Sequence, residues 1–253
     1  MSPKCLTIAG SDTTGGAGIQ ADLRTFAHFG THGVSAVTAI TAQTGKGVMG
    51  VYPIPADVIT QQLSAIVADG GADAIKVGMI GSAANVRAIT WFLASLAAKH
   101  VVVDPIFHST SGAELLEAGG IRPFRDQLLP FATVITPNAD EAGQLTGMRV
   151  WNVGTMKEAA RQIYNDVWSL RRDKIKTLNI LVKGGHVTGD AIDVLYDGKN
   201  FREFHGERID GTKHGTGCLL SSAITAGLAL GKDIEQAVKE AKQYVERYLT
   251  GHP

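Results

Sequence analysis

The residues best suited to chemistry form a glycine-rich segment, His214-Gly215-Thr216-Gly217-Cys218, which leads into an apolar helix-like run. Gly215 and Gly217 would expose successive backbone N–H groups, and the start of a helix adds positive potential at the same place. With Thr216 between them, they suit the binding of phosphate oxygens. A thiol in the first turn, as at Cys218, is expected to have a lowered pKa that favours the thiolate. The alternative for Cys218 is a small residue packed beneath a helix.

A second glycine-rich turn, Gly10-Ser11-Asp12-Thr13-Thr14-Gly15-Gly16-Ala17-Gly18, follows the first apolar run. It lets the backbone approach an anion or polar ligand closely. Gly16-x-Gly18-x-x-Ala21 matches the loose dinucleotide pattern, but there is no Asp or Glu from Leu23 to Ala56 to bind a ribose. This argues against NAD. No G-x-x-x-x-G-K-[ST] occurs either, which excludes a Walker-type phosphate loop.

Oxygen-bearing side chains and one lysine follow three further apolar runs. Asp104 comes after Val101-Val102-Val103, Asn138 after Thr136-Pro137, and Lys183 after Val182, with Glu141 one helical turn beyond Asn138. Carboxylate and amide oxygens suit Mg²⁺, directly or through its waters, and the ammonium group suits phosphate. Each residue alone could equally be a helix cap or a solvated side chain.

These residues need a scaffold that brings them together, and the chain alternates short apolar runs with helix-length segments. Strands are predicted at Cys5–Ala9, Val34–Ile40, Ala74–Val77, Val101–Asp104, Val134–Thr136 and Ile180–Val182. Helices are predicted at Ile19–Phe29, Pro55–Ala68, Ala83–Lys99, Ile121–Leu129, Lys157–Arg171, Gly217–Leu230 and Ile234–Leu249. The alternation predicts an α/β protein with a mostly parallel sheet and helices on both faces.

Two segments depart from this alternation. Asp197-Gly198-Lys199-Asn200 lies between two strand-like runs within Ala191–Phe204 and predicts a hairpin. Gly45–Val51 predicts either a short flap over one edge of the sheet or an ordinary surface loop. No linker, repeat or charge block divides the chain, so one domain over Met1–Pro253 is expected.

Composition narrows the class of protein. The 253 residues carry 24 basic and 24 acidic side chains, and this balance argues against nucleic acid or an acidic membrane as a partner. A hydrophobic fraction of 44% fits a folded chain, and no apolar run approaches the roughly 18–20 residues of a membrane helix. The start of the chain lacks a signal-peptide pattern, and its two cysteines provide no disulfide framework. A cytoplasmic protein is expected.

In combination the motifs resemble the ribokinase-like superfamily, and within it the hydroxymethylpyrimidine/phosphomethylpyrimidine kinases of thiamin biosynthesis. The matching segments span nearly the whole chain: residues 9–22, Thr41-Ala42-Gln43, Lys76-Val77-Gly78-Met79, Val103-Asp104-Pro105, Pro137-Asn138-x-x-Glu141, Lys183-Gly184-Gly185-His186 and residues 214–218. The resemblance implies a three-layer sandwich with a small flap or edge hairpin. It also implies phosphorylation of 4-amino-5-hydroxymethyl-2-methylpyrimidine, and then of its monophosphate, by ATP and Mg²⁺.

The resemblance also implies a role for each residue. Most of the superfamily has an Asp base where this chain has Cys218, so Cys218 would act as the base or orient the substrate, while Gly215 and Gly217 form the anion hole. Toward the nucleotide, the resemblance places Asn138, Thr216, Lys183 and Asp22, with Asp104 and Glu141 toward the metal. Toward the substrate, it places Gln43 on the aminopyrimidine ring and Gly10, Asp12, Ala17 and Met79 around it. The superfamily also favours a homodimer.

Three alternatives remain open. Pyridoxal kinases phosphorylate a hydroxymethyl group on a similar ring, so vitamin B6 salvage or dual activity is the nearest alternative. A sugar or nucleoside kinase is disfavoured because Cys218 replaces the Asp. A non-catalytic pyrimidine-binding protein would form no product from Mg-ATP. The sequence also departs from the branch at Ile106-Phe107-His108, at Thr44-Gly45-Lys46 and at Leu219, which bears on substrate preference.

Overall fold

The structure is a computed structural model that describes residues 2–45, 47–96, 99–109, 111–171, 177–185, 191–206 and 215–251. His186 and His214 of the sequence motifs lie outside these ranges, as does Lys46. The described strands are β1 (Lys4–Asp12), β2 (His32–Thr44), β3 (Gly47–Pro53), β4 (Ala74–Val77), β5 (His100–Val103), β6 (Val134–Ile135), β7 (Asn179–Val182), β8 (Asp193–Tyr196) and β9 (Phe201–Phe204).

The described helices are α1 (Gly18–His28), α2 (Ala56–Ala68), α3 (Ala83–Ser95), α4 (Ala118–Pro123), α5 (Ala139–Thr146), α6 (Val153–Leu170), α7 (Thr216–Ala229) and α8 (Ile234–Thr250). Within the described ranges, none of them combines the length and the apolar character that crossing a membrane requires.

The strands form one sheet in the order β3-β2-β1-β4-β5-β6-β7-β8-β9. From β2 to β7 all neighbours are parallel. At one end β3 pairs antiparallel with β2, and at the other the β8–β9 hairpin pairs antiparallel with β7. The predicted α/β fold with a mostly parallel sheet is confirmed, and the predicted hairpin forms one edge of that sheet.

Helices cover both faces of the sheet. On β5, Val101 and Val103 pack into a core shared with α2, α3 and α6, whereas Val102 packs into a core shared with α7 and α8. Successive side chains of a strand point to opposite faces. Both faces are therefore apolar, which explains why the short inner strands are continuous runs of valine and isoleucine rather than alternating ones.

Three predicted helices differ from the structure. The helix predicted over Lys157–Arg171 begins earlier, at Val153. The helix predicted over Ala83–Lys99 ends at Ser95, where Leu96 adopts an extended conformation. The helix predicted over Ile121–Leu129 begins earlier, at Ala118, and continues past Pro123 as a π-helical turn over Phe124–Leu128. Proline has no N–H to donate to the preceding turn, so a regular α-helix cannot continue unchanged through it.

The segment expected to be a flap or a loop is an edge strand. β3 pairs with the second half of β2, and the cross-strand partners Ile40 and Tyr52 are both largely exposed. Met49 on the same strand is 80% exposed. The sheet therefore ends in a two-stranded ribbon with apolar side chains on its surface.

Candidate active site

Five predicted site residues follow the carboxyl ends of the parallel strands. Asp12 ends β1, Met79 follows β4, Asp104 follows β5, Asn138 follows β6, and Lys183 follows β7. An isolated parallel bridge also joins Asn138 to Lys183. In open α/β sheets, ligands bind outside the carboxyl ends of the strands. The structure thus brings residues from distant parts of the sequence to the edge where a ligand would bind.

The start of α7 lies against the glycine-rich turn of residues 10–18. Gly215 has a φ of +91°, and a β-carbon there would lie 2.0 Å from the carbonyl oxygen of Gly16. At Gly18, which has a φ of +60°, a β-carbon would lie 2.3 Å from the carbonyl oxygen of Gly10. No side chain of the described residues caps α7. Its first amides are therefore available to an anion at the junction of the two turns.

Cys218 is buried in the first turn of α7. Burial raises the pKa of its thiol above the usual value, although Lys76 and a hydrogen bond from the Gly18 amide act in the opposite direction. The lowered pKa expected from the helix start is therefore wrong, because loss of solvent outweighs the helix dipole. Burial therefore favours the neutral thiol of Cys218, whose sulfur lies close to the amide of Gly18 in the glycine-rich turn of residues 10–18.

Lys183 lies between the two carboxylates predicted for the metal. Its Nζ is 2.7 Å from Oδ1 of Asp104 and 3.8 Å from Oε2 of Glu141. The hydroxyls of Thr136 and Ser221 also donate to Asp104, at 3.1 and 3.2 Å. A buried carboxylate needs such partners, and Thr136 and Ser221 are supporting residues that the sequence analysis did not identify.

The ionisation states of Asp104, Glu141 and Lys183 depend on one another. Burial works against the ionised form of Asp104, but Lys183 and then Lys76 hold its pKa below the usual value. Burial raises the pKa of Glu141 to about 7, with Lys183 lowering it and Asp104 raising it. Burial disfavours the ammonium of Lys183, yet Asp104 and Glu141 raise its pKa. One ammonium thus faces two carboxylates, and only the closer carboxylate is strongly stabilised.

Asn138 and Glu141 form a reciprocal cap at the start of α5. The Glu141 amide donates to Oδ1 of Asn138 at 2.8 Å, and the Asn138 amide donates to Oε2 of Glu141 at 2.6 Å. Such a capping box satisfies two otherwise unpaired helix amides. It also fixes the Glu141 carboxylate close to Lys183. The helical spacing expected for these two residues is confirmed.

The residues predicted to contact the substrate lie around the glycine-rich turn of residues 10–18. Asp12 accepts hydrogen bonds from the amides of Thr14 and Ala17, at 2.9 and 2.8 Å, and so shapes the turn. A β-carbon on Gly10 would lie 2.9 Å from Sδ of Met79, so these two residues pack directly against each other.

Gln43 is tied to the same turn through its backbone. Its amide donates to the Thr13 hydroxyl at 2.9 Å, and that hydroxyl donates to the Gln43 carbonyl at 2.7 Å. Thr13 was not singled out from the sequence. It connects the end of β2 to the turn that follows β1, and so places Gln43 beside the predicted substrate pocket.

Asp22 has surroundings that do not support the direct nucleotide contact expected from the sequence. Its side chain is fully buried, and Nζ of Lys76 lies 2.5 Å from Oδ1. The Ser222 hydroxyl donates to the same oxygen, and the Thr7 hydroxyl donates to Oδ2, each at 2.6 Å. Lys76 belongs to the segment Lys76-Val77-Gly78-Met79, and the sequence alone indicates no role for it. Its signal in the sequence is a lysine inside an apolar strand.

The oxygen groups at the strand ends fit a hard divalent cation. Asp104 and Glu141 are carboxylates that share one ammonium, and the raised pKa of Glu141 indicates that a second positive charge would stabilise its ionised form. Among the described residues no cluster of three or more His, Cys, Asp or Glu is arranged to hold a metal. Mg²⁺ commonly uses one or two carboxylates and completes its shell with water and substrate phosphates.

Two departures from the family pattern lie in the core. Phe107 is fully buried, and its ring packs edge-to-face on Phe124 with 5.3 Å between centroids. Leu219 is buried in the apolar cluster beneath α7, among residues such as Val102 and Leu195. Both side chains therefore contribute to packing.

Sequence comparison finds relatives over almost the whole chain. Residues 12–252 match the family described as phosphomethylpyrimidine kinase. A hydroxymethylpyrimidine/phosphomethylpyrimidine kinase from Streptomyces coelicolor is 43% identical over 251 residues, which cover 98% of this chain and 89% of that protein. A thiamine biosynthesis bifunctional protein from Geobacter sulfurreducens is 40% identical over 242 residues, covering 95% of this chain and 48% of that one.

Solved structures with the same fold include a phosphomethylpyrimidine kinase and a pyridoxal kinase. A phosphomethylpyrimidine kinase from Clostridium difficile has a TM-score of 0.84 at 39% identity, covering 98% of this chain and 100% of that one. A pyridoxal kinase from Staphylococcus aureus, in complex with pyridoxal, has a TM-score of 0.86 at 35% identity, covering 99% and 88%. The Staphylococcus aureus enzyme has also been solved with ADP and with AMP-PCP. The ribokinase-like fold expected from the motifs is confirmed.

Proposed function

Because this chain belongs to the phosphomethylpyrimidine kinase family, we propose that it transfers phosphoryl groups from ATP in two steps of thiamin biosynthesis. The first acceptor is the hydroxymethyl group of 4-amino-5-hydroxymethyl-2-methylpyrimidine, and the second is the resulting monophosphate. One observation carries this proposal. A β-carbon on Gly217 would lie 3.3 Å from Nζ of Lys183 and 3.7 Å from Oδ2 of Asp104, so the amide turn that bears Cys218 directly adjoins the charged group.

The arrangement supports the first transfer as follows. The substrate hydroxyl oxygen forms a bond to the γ-phosphorus, its proton passes to the sulfur of Cys218, and the bond from the γ-phosphorus to the bridging oxygen breaks to leave ADP. This step requires the thiolate, so Cys218 must first lose its own proton to solvent before the alcohol proton passes to the sulfur. The amides at the start of α7 and the Lys183 ammonium stabilise the negative charge that moves with the phosphoryl group.

The second transfer asks less of Cys218. The acceptor is now a phosphate oxygen that is already ionised, so no proton has to be removed from it. The main requirement is neutralisation of the charge on two phosphate groups that approach each other. Lys183 and the amides of Gly215, Thr216 and Gly217 supply it.

Asp104 and Glu141 are the side chains that would hold Mg²⁺, with Asn138 orienting Glu141. When bound, the ion supplies charge neutralisation on the ATP phosphates. Asp104 in addition keeps the Lys183 ammonium at the anion site, through the 2.7 Å contact. The role of these residues without the ion is thus to hold one positive charge where the phosphates would lie.

The proposal extends to the surroundings of the catalytic site. Gly10, Asp12, Ala17, Gln43 and Met79 form the pyrimidine pocket, with Gln43 bonding the amino-substituted ring. The chain acts as one kinase domain in the cytoplasm.

The chain forms a homodimer that covers the exposed ribbon of β2 and β3, where Met49 and Tyr52 are 80% and 62% exposed. Analytical ultracentrifugation of the wild type and of Met49→Asp measures the oligomeric state. We expect a dimer for the wild type and a monomer for the variant, and a monomeric wild type would refute the homodimer.

The decisive experiment offers the purified protein Mg-ATP and either the alcohol, its monophosphate or pyridoxal, and reads the products by mass spectrometry. We expect a diphosphorylated pyrimidine. If the monophosphate forms but is not phosphorylated further, the second transfer is refuted. Pyridoxal phosphate as the sole product would assign the chain to vitamin B6 salvage, an alternative supported by the similarity to pyridoxal kinases. Binding without any product would refute the kinase activity.

A further inference from the structure

A fully buried ion pair lies against α7, the helix that bears Cys218 in its first turn. Nζ of Lys76 on β4 and Oδ1 of Asp22 on α1 are 2.5 Å apart, and both side chains have 0% exposure. Burying two charges costs several kcal/mol per ion, and a pair of this kind adds little net stability compared with apolar side chains of similar size. Stability alone therefore gives a weak reason for charged residues at these positions.

The geometry directs the ammonium of Lys76 toward the site. A β-carbon placed on Gly78 would lie 3.4 Å from Nζ of Lys76, so the lysine extends along its strand toward the carboxyl end. That end of β4 lies beside the glycine-rich turn of residues 10–18, where Met79 packs against Gly10, and Lys76 acts electrostatically on Cys218 in the first turn of α7. The long side chain thus carries its charge from the middle of the sheet to the edge where phosphate is expected.

A second contact connects the pair to the helix that bears Cys218. The Ser222 hydroxyl donates to Oδ1 of Asp22, the same oxygen that Lys76 contacts. Ser222 lies four residues after Cys218, on the same face of α7. Thr7 on β1 occupies the other oxygen of Asp22. Asp22 therefore joins three elements at a point one helical turn below the thiol.

We propose that Lys76 is a positioning residue that supplies a fixed positive charge behind Cys218, and that Asp22 and Ser222 hold its ammonium in place. This inference rests on the proposed function, because it concerns the proton that Cys218 takes in the first transfer. The charged groups around the sulfur are Lys76 and Asp22 beneath it, Asp104 after β5, and Lys183 after β7. Lys76 favours the thiolate, whereas Asp22 and Asp104 disfavour it.

The two members of the pair should act in opposite directions on the thiol. Lys76→Met removes the charge that favours the thiolate, and Asp22→Asn removes one that disfavours it. The double variant Lys76→Met/Asp22→Asn removes both and leaves the net charge unchanged, which guards against misfolding of a variant with one unpaired buried charge. Lys157→Met, which breaks the surface pair with Glu203 at 2.7 Å on the far side of the sheet, is the matched control.

The experiment titrates the ultraviolet absorbance of the thiolate without substrates, in a Cys5→Ala background where Cys218 is the only cysteine. We expect the midpoint to move to higher pH in Lys76→Met, to lower pH in Asp22→Asn, and to higher pH by a smaller amount in the double variant. Lys157→Met should leave it unchanged. Midpoints that move in the same direction in both single variants, or that do not move, would overturn the inference.

Kinetics give an independent readout. Lys76→Met should slow phosphorylation of the alcohol by about tenfold for each pH unit that the midpoint rises, and should slow phosphorylation of the monophosphate by less than about threefold, since that acceptor gives up no proton. Equal slowing of both transfers would indicate a merely structural role. A wild-type protein that forms no product would refute the proposed function. The titration would still show whether Lys76 and Asp22 shift the midpoint of the Cys218 thiol in opposite directions.

Discussion

Gly215 packs so closely against Gly16 that a β-carbon on Gly215 would lie 2.0 Å from the Gly16 carbonyl oxygen. The two glycine-rich turns, about 200 residues apart in the sequence, therefore meet backbone to backbone. This contact sets the position of the α7 amides relative to the glycine-rich turn of residues 10–18. A side chain at Gly215 would separate the two halves of the site.

The first prediction tests this contact by comparing Gly215→Ala with Gly231→Ala. Both glycines have a positive φ, +91° and +81°, but nothing lies within 4 Å of a β-carbon on Gly231. Each substitution should cost about 1–2 kcal/mol of unfolding free energy for the backbone conformation. Only Gly215→Ala should also abolish most of the activity. Equal activity of the two variants would mean that the close approach is not required.

The second prediction concerns Cys218. Replacement by alanine removes the proton acceptor, so phosphorylation of the alcohol should fall by about 10²-fold or more. Phosphorylation of the monophosphate should fall by much less, because its acceptor oxygen is already ionised. The two rates are measured separately, each with its own purified acceptor. If both fall by the same factor, Cys218 positions the substrate and does not act as a base.

The third prediction uses two matched helix caps. Asn138 caps α5 and Asn152 caps α6, each in a reciprocal capping box. Replacing either by alanine should cost about 1 kcal/mol of unfolding free energy. Asn138→Ala should also lower activity about 10- to 100-fold, because the cap orients Glu141. Denaturant unfolding and steady-state rates separate the two effects. If Asn138→Ala and Asn152→Ala are equally active, Asn138 has no role in the active site.

The fourth prediction concerns Lys183. Lys183→Met should weaken ADP binding by at least about tenfold, since a charge-assisted contact contributes about 1.5–3 kcal/mol. It should also lower stability, because Asp104 and Glu141 then share no cation. Calorimetric titration with ADP, at a temperature where the variant is folded, measures the first effect. Lys239→Met, at an exposed position of α8, is the control. Unaltered ADP affinity in Lys183→Met would contradict the assignment.

The fifth prediction is a pH dependence of stability. Burial raises the pKa of the Cys5 thiol from 9.0 to about 11, with Thr31 lowering it and Asp73 raising it. The neutral thiol is thus favoured in the folded state. Its stabilisation is complete below pH 9 and is lost as the pH rises toward 11, by roughly 3 kcal/mol. Cys5→Ala should flatten this loss in denaturant unfolding. Parallel stability curves for the two proteins would disprove it.

The fold could be predicted from the sequence because buried parallel strands leave a clear pattern. The strand Ala74–Val77 was predicted to the residue, and the other inner strands to within a few residues. Helix α5 was not predicted as an element. It is only eight residues long and contains Gly143, so its apolar pattern is too short to be recognised.

The site was predictable where a polar residue follows a strand, as at Asp104 and Lys183. The burial of Asp22 and its contact with Lys76 were not, since 54 residues separate the partners and no local pattern connects them. The same holds for the pKa of Cys218. Helix position can be read from a sequence, whereas the loss of solvent around the thiol depends on the packed structure.

The topology also constrains when the protein can become active as it is made. β1, which leads into the glycine-rich turn of residues 10–18, is an inner strand between β2 and β4, while the proposed anion site belongs to α7 near the other end of the chain. A chain emerging from the ribosome completes most of the sheet before α7 appears. On the proposed assignment, a nascent chain that ends before α7 has the residues proposed for the pyrimidine pocket but lacks the amides proposed for the phosphate site, so we expect it not to consume ATP. Activity is acquired only when the last helices dock.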